Sequence, residues 1–115
     1  MKNSKRRWRK VNDRLLNFLG LCRRAGKMKI GCDTVIESVE LKNAKLVLLA
    51  NDISENTKKK VISAISGTTY EILDYSKDEL SFALGKTCAV LSVEDEGFAK
   101  KLSELISNKG GTLND

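Results

Sequence analysis

At 115 residues, 41% of them hydrophobic and none of them histidine or proline, the chain suits one domain with a core of its own. Its charge is lopsided: the first 29 residues carry eleven Lys or Arg against a single acid, the other 86 carry ten against fourteen, and the formal net charge is +6. Missing histidine removes the usual general base, the usual triad member and the commonest metal ligand together, and no apolar run nears the roughly 18 residues of a membrane span.

Residues 1–12 are too charged to bury anything and are expected as a flexible basic arm. Asp13 is placed to cap a helix over 14–25, whose Leu15, Phe18, Leu19 and Cys22 share one face at helical spacing. Gly26 is its expected left-handed cap. Residues 27–30 form a short piece, Gly31 a turn, and Asp33 or Thr34 opens a second helix to about residue 41. Residues 45–50, KLVLLA, have the continuous apolar character of a strand covered on both faces. Ser54 starts a third helix that runs to Ser66 and stops at Gly67, and residues 70–73 read as a second strand. Ser76, with Glu79 three residues on, has the form of a capping box for a helix over 77–84 that Gly85 ends. A third strand spans 88–93, and the acids of 94–96 begin a last helix to about residue 107, with 108–115 a frayed tail. Strands alternating with helices predict an α/β fold: a three-layer α/β/α sandwich over residues 13–107 with a central, mostly parallel mixed sheet.

The chemistry concentrates in residues 20–31, GLCRRAGKMKIG. Arg23 and Arg24 fall in the last turn of the first helix, where cations are favourable and guanidinium forks can be aimed at phosphates. Lys27 and Lys29 alternate with Met28 and Ile30, so one side of the stretch is cationic and the other apolar. Gly31 permits close backbone approach, and the amides of the helix that follows can receive an anion. Clustered cations of this kind point to a polyanionic partner, because neutralising phosphates releases condensed counterions. The same residues also fit an ordinary helix cap, an edge strand and a solvated surface. Spacing alone leaves the two readings level.

Four blocks, GLCRRAGKMKIG at 20–31, AKLVLLANDISENTKKK at 44–60, LSFALGK at 80–86 and AVLSVEDEGFAKKL at 89–102, resemble the kink-turn RNA-binding ribosomal-protein superfamily, and its small bacterial members in particular. They occur in that family's order and span about four-fifths of the chain. The resemblance implies an α/β/α sandwich and binding to structured RNA. Members that read kink-turns follow the glycine matching Gly31 with any residue, then Asn-Glu, then a Lys three residues on, and these bind tandem sheared G·A pairs. Here those places hold Cys32, Asp33, Thr34 and Glu37, the last with reversed charge. The family's flanking loop corresponds to Gly85-Lys86-Thr87, short and without apolar cover for a flipped base. What the resemblance implies is therefore contact mainly through phosphates, from Arg23, Arg24, Lys27, Lys29 and Lys86 around Gly31 and Gly85.

Asp52 and the acids 94–96 follow strands, where α/β sheets place ligands, and could hold Mg²⁺. They also stand where helix caps belong, and the chain has no P-loop, no GxGxxG and no nucleophile elbow. No catalytic residue, cofactor or metal site is assigned. Cys22, Cys32 and Cys88, odd in number and without CxxC spacing, are expected as free thiols. Lys58, Lys59 and Lys60 span too wide an arc of a helix to form one phosphate-tracking face and read as solvated surface. Trp8, between Arg7 and Arg9, can stack on an unpaired base. The expectation is a monomeric, non-enzymatic cytoplasmic protein of translation that binds rRNA or another structured RNA, or the ribosome, and no membrane. The alternative is a protein–protein adaptor that has lost kink-turn recognition.

Overall fold

In chain order the elements are α1 (Arg14–Arg24), β1 (Met28–Ile30), α2 (Cys32–Glu40), β2 (Leu46–Leu49), α3 (Glu55–Ala64), β3 (Tyr70–Ile72), α4 (Lys77–Leu84), β4 (Val90–Val93) and α5 (Glu96–Gly111). The computed structural model describes residues 14–65 and 67–111, so the basic arm, the Asp13 cap, the Ser66 helix end and the tail past residue 111 lie outside the described residues. Local signals set several boundaries. Ser76 Oγ accepts the Glu79 amide at 3.1 Å while the Glu79 carboxylate accepts the Ser76 amide at 3.0 Å, the reciprocal box its spacing predicts. Ser54 caps α3 by accepting the Thr57 amide at 3.2 Å.

The four strands lie in the order β1-β4-β2-β3. β2 and β4 are the middle pair and are buried along their whole length. Their alternate side chains feed two cores. Leu46, Leu48, Leu91 and Val93 join Leu15, Leu19 and Cys22 of α1, Leu80 and Leu84 of α4 and Leu102 of α5 on one face. Val47, Leu49 and Val90 join Val35 of α2 and Val61 of α3 on the other. These are the three expected layers, and each buried Leu or Val in them contributes about 1.5–3 kcal/mol.

The sheet is mixed, but its parallel share is smaller than the helix–strand alternation predicts. Only β2 and β3 run parallel; β4 is antiparallel to both β2 and β1. The reason lies in α4. Before it, Tyr75 O accepts the Asn51 amide at 2.8 Å; after it, Ala89 O accepts the Ala50 amide at 2.9 Å. Both flanks of this eight-residue helix are thus tied to the same end of β2, so the chain re-enters the sheet where it left and must run back. Within the stretch 27–30, Met28–Ile30 becomes a full member of the sheet: Met28 pairs with Val93 and Ile30 with Leu91, which sets Lys29 on the sheet edge.

Candidate nucleic-acid interface

Three pieces of backbone meet beside β1: the end of α1, the passage from β1 into α2, and the turn after α4. Together Arg23, Arg24, Met28, Lys29, Ile30, Thr34 and Lys86 line an open cleft of about 340 Å³.

The end of α1 is built by Gly26. At φ 75° it takes the left-handed conformation open to glycine, its amide donates to Arg23 O at 3.0 Å, and the Lys27 amide donates to Cys22 O at 3.1 Å. That pair of bonds is a Schellman cap, and it stops the helix directly after two arginines. Arg23 Nη1 donates to Leu84 O at 2.9 Å, tying the end of α1 to the end of α4. Arg24 lies close to the seam between the same two helices: a Cβ added to Gly20 would stand 3.8 Å from Arg24 Nη1 and 4.0 Å from the Ala83 carbonyl.

Gly31 makes the second piece. Its amide donates to Val90 O at 2.9 Å, completing the β1–β4 edge, and its carbonyl accepts the Val35 amide at 2.8 Å, opening α2. With φ 109° and ψ 144° it is the N-cap, in a conformation side chains rarely adopt. The helix therefore begins at Cys32, earlier than expected, and Asp33 sits within its first turn instead of capping it. A glycine cap has no side-chain acceptor to offer, so the first-turn amides of α2 are left to present the positive end of the helix dipole.

The turn after α4 is the third piece. Gly85, at φ 73°, caps the helix and its amide donates to Ser81 O at 2.8 Å. Ser81 Oγ accepts the Cys88 amide at 3.0 Å, so Lys86 is carried on a short, pinned turn.

Of the residues the sequence singles out, Arg23, Arg24, Lys29, Thr34 and Lys86 line one cleft, with the Gly31 bend between Ile30 and Thr34 of that lining. Lys27 is exposed but is not part of the lining; its carbonyl accepts the Glu94 amide at 2.8 Å. Cys32 is half-buried and packs against the α2–α3 core. Glu37 is exposed one turn further along α2. Asp33 is engaged elsewhere, in a 3.2 Å ion pair with Lys60 of α3. Met28 and Ile30 also line the cleft, and their alternation with lysine carries that signal. The Lys60–Asp33 pair has no local signal in the sequence, since its members stand 27 positions apart.

Three of the four carboxylates weighed for Mg²⁺ have structural partners. Asp52 accepts the Lys77 amide at 2.9 Å, Glu94 accepts Ser38 Oγ at 2.6 Å, and Asp95 accepts the Phe98 amide at 2.9 Å. Among the described residues no group of three or more Cys, Asp and Glu is arranged to hold a metal ion, and no helix is long and apolar enough to cross a membrane. The cleft can do something simpler. Two guanidinium forks and two ammonium groups can meet phosphate oxygens, while the half-buried Ile30 offers apolar contact to a base or sugar.

Residues 13–103 match the model of the Ribosomal protein L7Ae/L30e/S12e/Gadd45 family. The chain is 41% identical over 92 residues to the RNA-binding protein YlxQ of Enterococcus faecium, covering 79% of this chain and 89% of that one. It is 41% identical over 94 residues to the RNA-binding protein YlxQ of Bacillus subtilis, covering 77% and 91%. Among solved structures, a protein of unknown function from Bacillus halodurans superposes with a TM-score of 0.76 at 31% identity, over 82% of this chain and 97% of that one. The Giardia lamblia 15.5kD RNA binding protein shares the fold, with a TM-score of 0.66 at 21% identity over 82% of each chain.

Proposed function

The chain belongs to the L7Ae/L30e/S12e/Gadd45 family of ribosomal proteins, and from that footing we propose that it is a non-enzymatic RNA-binding protein of the cytoplasm. Its ligand is structured RNA, with ribosomal RNA or a ribosome-associated ribonucleoprotein the first choice, and it binds as a monomer. The convergence of Arg23, Arg24, Lys29 and Lys86 on one cleft beside the Gly31 bend carries this reading. Two YlxQ relatives that bear the name RNA-binding protein support it.

The mode of contact follows from the chemistry of the side chains. Cations and backbone amides meet phosphates, which position a protein on RNA but carry little sequence information. Asp33, Thr34 and Glu37 occupy the places where kink-turn readers carry Asn, Glu and Lys, so tandem G·A pairs gain few base contacts here. The protein therefore recognises the shape of a folded RNA more than a kink-turn sequence.

Filter binding to labelled fragments of bacterial rRNA, repeated across a salt series, tests this. Four or five phosphate contacts predict a slope of log affinity on log salt of roughly −3 to −4.5. Arg23→Glu/Arg24→Glu/Lys86→Glu abolishes binding while far-UV circular dichroism is unchanged. A flat salt response, or a triple variant that binds like its parent, ends the proposal.

A further inference from the structure

The Lys60–Asp33 pair lies outside the cleft, on the other flank of the first turn of α2. Thr34 on that turn lines the cleft, whereas Asp33, one position back, points to α3 and meets Lys60 Nζ at 3.2 Å. The first turn of α2 thus has cations to either side, Arg23, Arg24, Lys29 and Lys86 on one and Lys60 on the other. Both members of the pair are open to solvent, with side-chain exposures of 60% for Lys60 and 91% for Asp33. An ion pair so exposed is weak and exchanges partners readily. A carboxylate at this point should repel an incoming phosphate backbone, and the neighbouring ammonium offsets that charge.

We propose that Lys60 is an RNA-contacting residue for which Asp33 is the placeholder: in the free protein the ammonium rests on the Asp33 carboxylate, and when RNA seats at the Gly31 bend it passes to a backbone phosphate. The interface then continues from the cleft across α2 onto α3. This rests on the RNA-binding reading of the cleft. It also separates Lys60 from its neighbours Lys58 and Lys59, which turn about 200° and 100° away around the helix and have no such partner among the described contacts.

A double-variant cycle on the full chain, with the same labelled rRNA fragments, tests the inference. Lys60→Ala should weaken binding about tenfold and make the salt slope shallower by roughly 0.7–0.9, the share of one lost phosphate contact. In an Asp33→Asn background the same change should cost about threefold more, because the ammonium then gives up no ion pair when it meets the phosphate. Lys60→Arg should bind like the parent, and Lys59→Ala, the control for a lost charge on α3, should keep the parent's slope. An unchanged slope for Lys60→Ala overturns the inference, and so does an equal cost with and without the Asp33→Asn change. If the cleft triple variant loses binding while Lys60→Ala keeps it, Lys60 alone is excluded. If the cleft variant also binds normally, the RNA reading falls and takes this inference with it.

Discussion

Arg23 Nη1 donates to the Leu84 carbonyl at 2.9 Å, a bond between residues 61 positions apart that joins the C-terminal ends of α1 and α4. Two helix ends with exposed carbonyls each carry partial negative charge, and one guanidinium serves both. A guanidinium has five N–H donors, so this bond fixes the group in place while leaving a fork for phosphate. Arg24 makes no such bond among the described contacts. Arg23→Gln should therefore lower stability by about 1 kcal/mol as well as weaken RNA binding, while Arg24→Gln should weaken binding with little change in stability. Urea midpoints for the two variants, set beside their affinities, check the split; equal midpoints would mean that the Leu84 bond contributes nothing.

Lys42 is the only non-glycine residue of positive φ among the described residues, at 64°. It stands where a glycine would be expected, since the Lys42 amide donates to Val39 O at 2.9 Å and the Asn43 amide to Ser38 O at 2.9 Å, the same Schellman pattern that closes α1 at Gly26. A side chain in the left-handed region costs about 1 kcal/mol, which glycine's greater freedom in the unfolded chain partly offsets. Lys42→Gly should raise stability by about 0.5 kcal/mol. Lys42→Val, whose branched side chain suits this region least, should lower it by more than about 1 kcal/mol. Thermal unfolding of both variants reads the two signs.

The parts of this fold that were legible in the sequence are those specified within a few residues. Gly26 and Gly85 as left-handed caps, the Ser76–Glu79 box and the buried Leu46–Leu49 strand within KLVLLA all depend on neighbours at most a turn away. The insertion of β4 between β1 and β2 was not legible, because its direction is set by α4 folding back over one end of β2. Nor was the start of α2, where the Gly31 backbone overrides the capping preference of Asp33 and Thr34. For the site, the cations are plain in the sequence, but their grouping is not. Lys86 reaches Arg23 only through the packing of α4 on α1, and Lys27, in the same cationic run, is left outside.

Ser92 sits at the middle of β4, fully buried, and its Oγ has no hydrogen-bond partner among the described residues. Its register partners are Lys29 on β1 and Val47 on β2, and the core on that face is apolar. Burying a hydroxyl without a partner costs about 1–3 kcal/mol, so removing it should be neutral or favourable even though a small void remains. Ser92→Ala is expected to leave stability unchanged or raise it by about 1 kcal/mol. Ser92→Thr, which keeps the hydroxyl and adds a methyl, should not. A loss of more than about 1 kcal/mol in Ser92→Ala would mean that the hydroxyl is bonded in solution.

The thiols of Cys22 and Cys88 give stability a specific dependence on alkaline pH. Burial pushes Cys22 from the ordinary 9.0 up to about 11, with the Asp95 carboxylate adding to the rise and a backbone hydrogen bond opposing it. Burial also pushes Cys88 up to about 11, against the opposing charge of Arg23. Both protons are thus held more tightly by the fold than by the open chain. Their contribution is whole below pH 9.0 and is lost as pH rises toward 11, by roughly 1–3 kcal/mol for each thiol. Urea midpoints should therefore drop across that window, and drop less steeply in Cys22→Ala/Cys88→Ala, whatever the variant's level at neutral pH. Equal slopes would show that the two thiols contribute nothing to the fall. Cys32, half-buried at the start of α2, supplies the contrast at neutral pH. Iodoacetamide should label it well before Cys22 or Cys88 in the native protein, and rRNA seated on the Gly31 bend should slow that labelling without altering the other two.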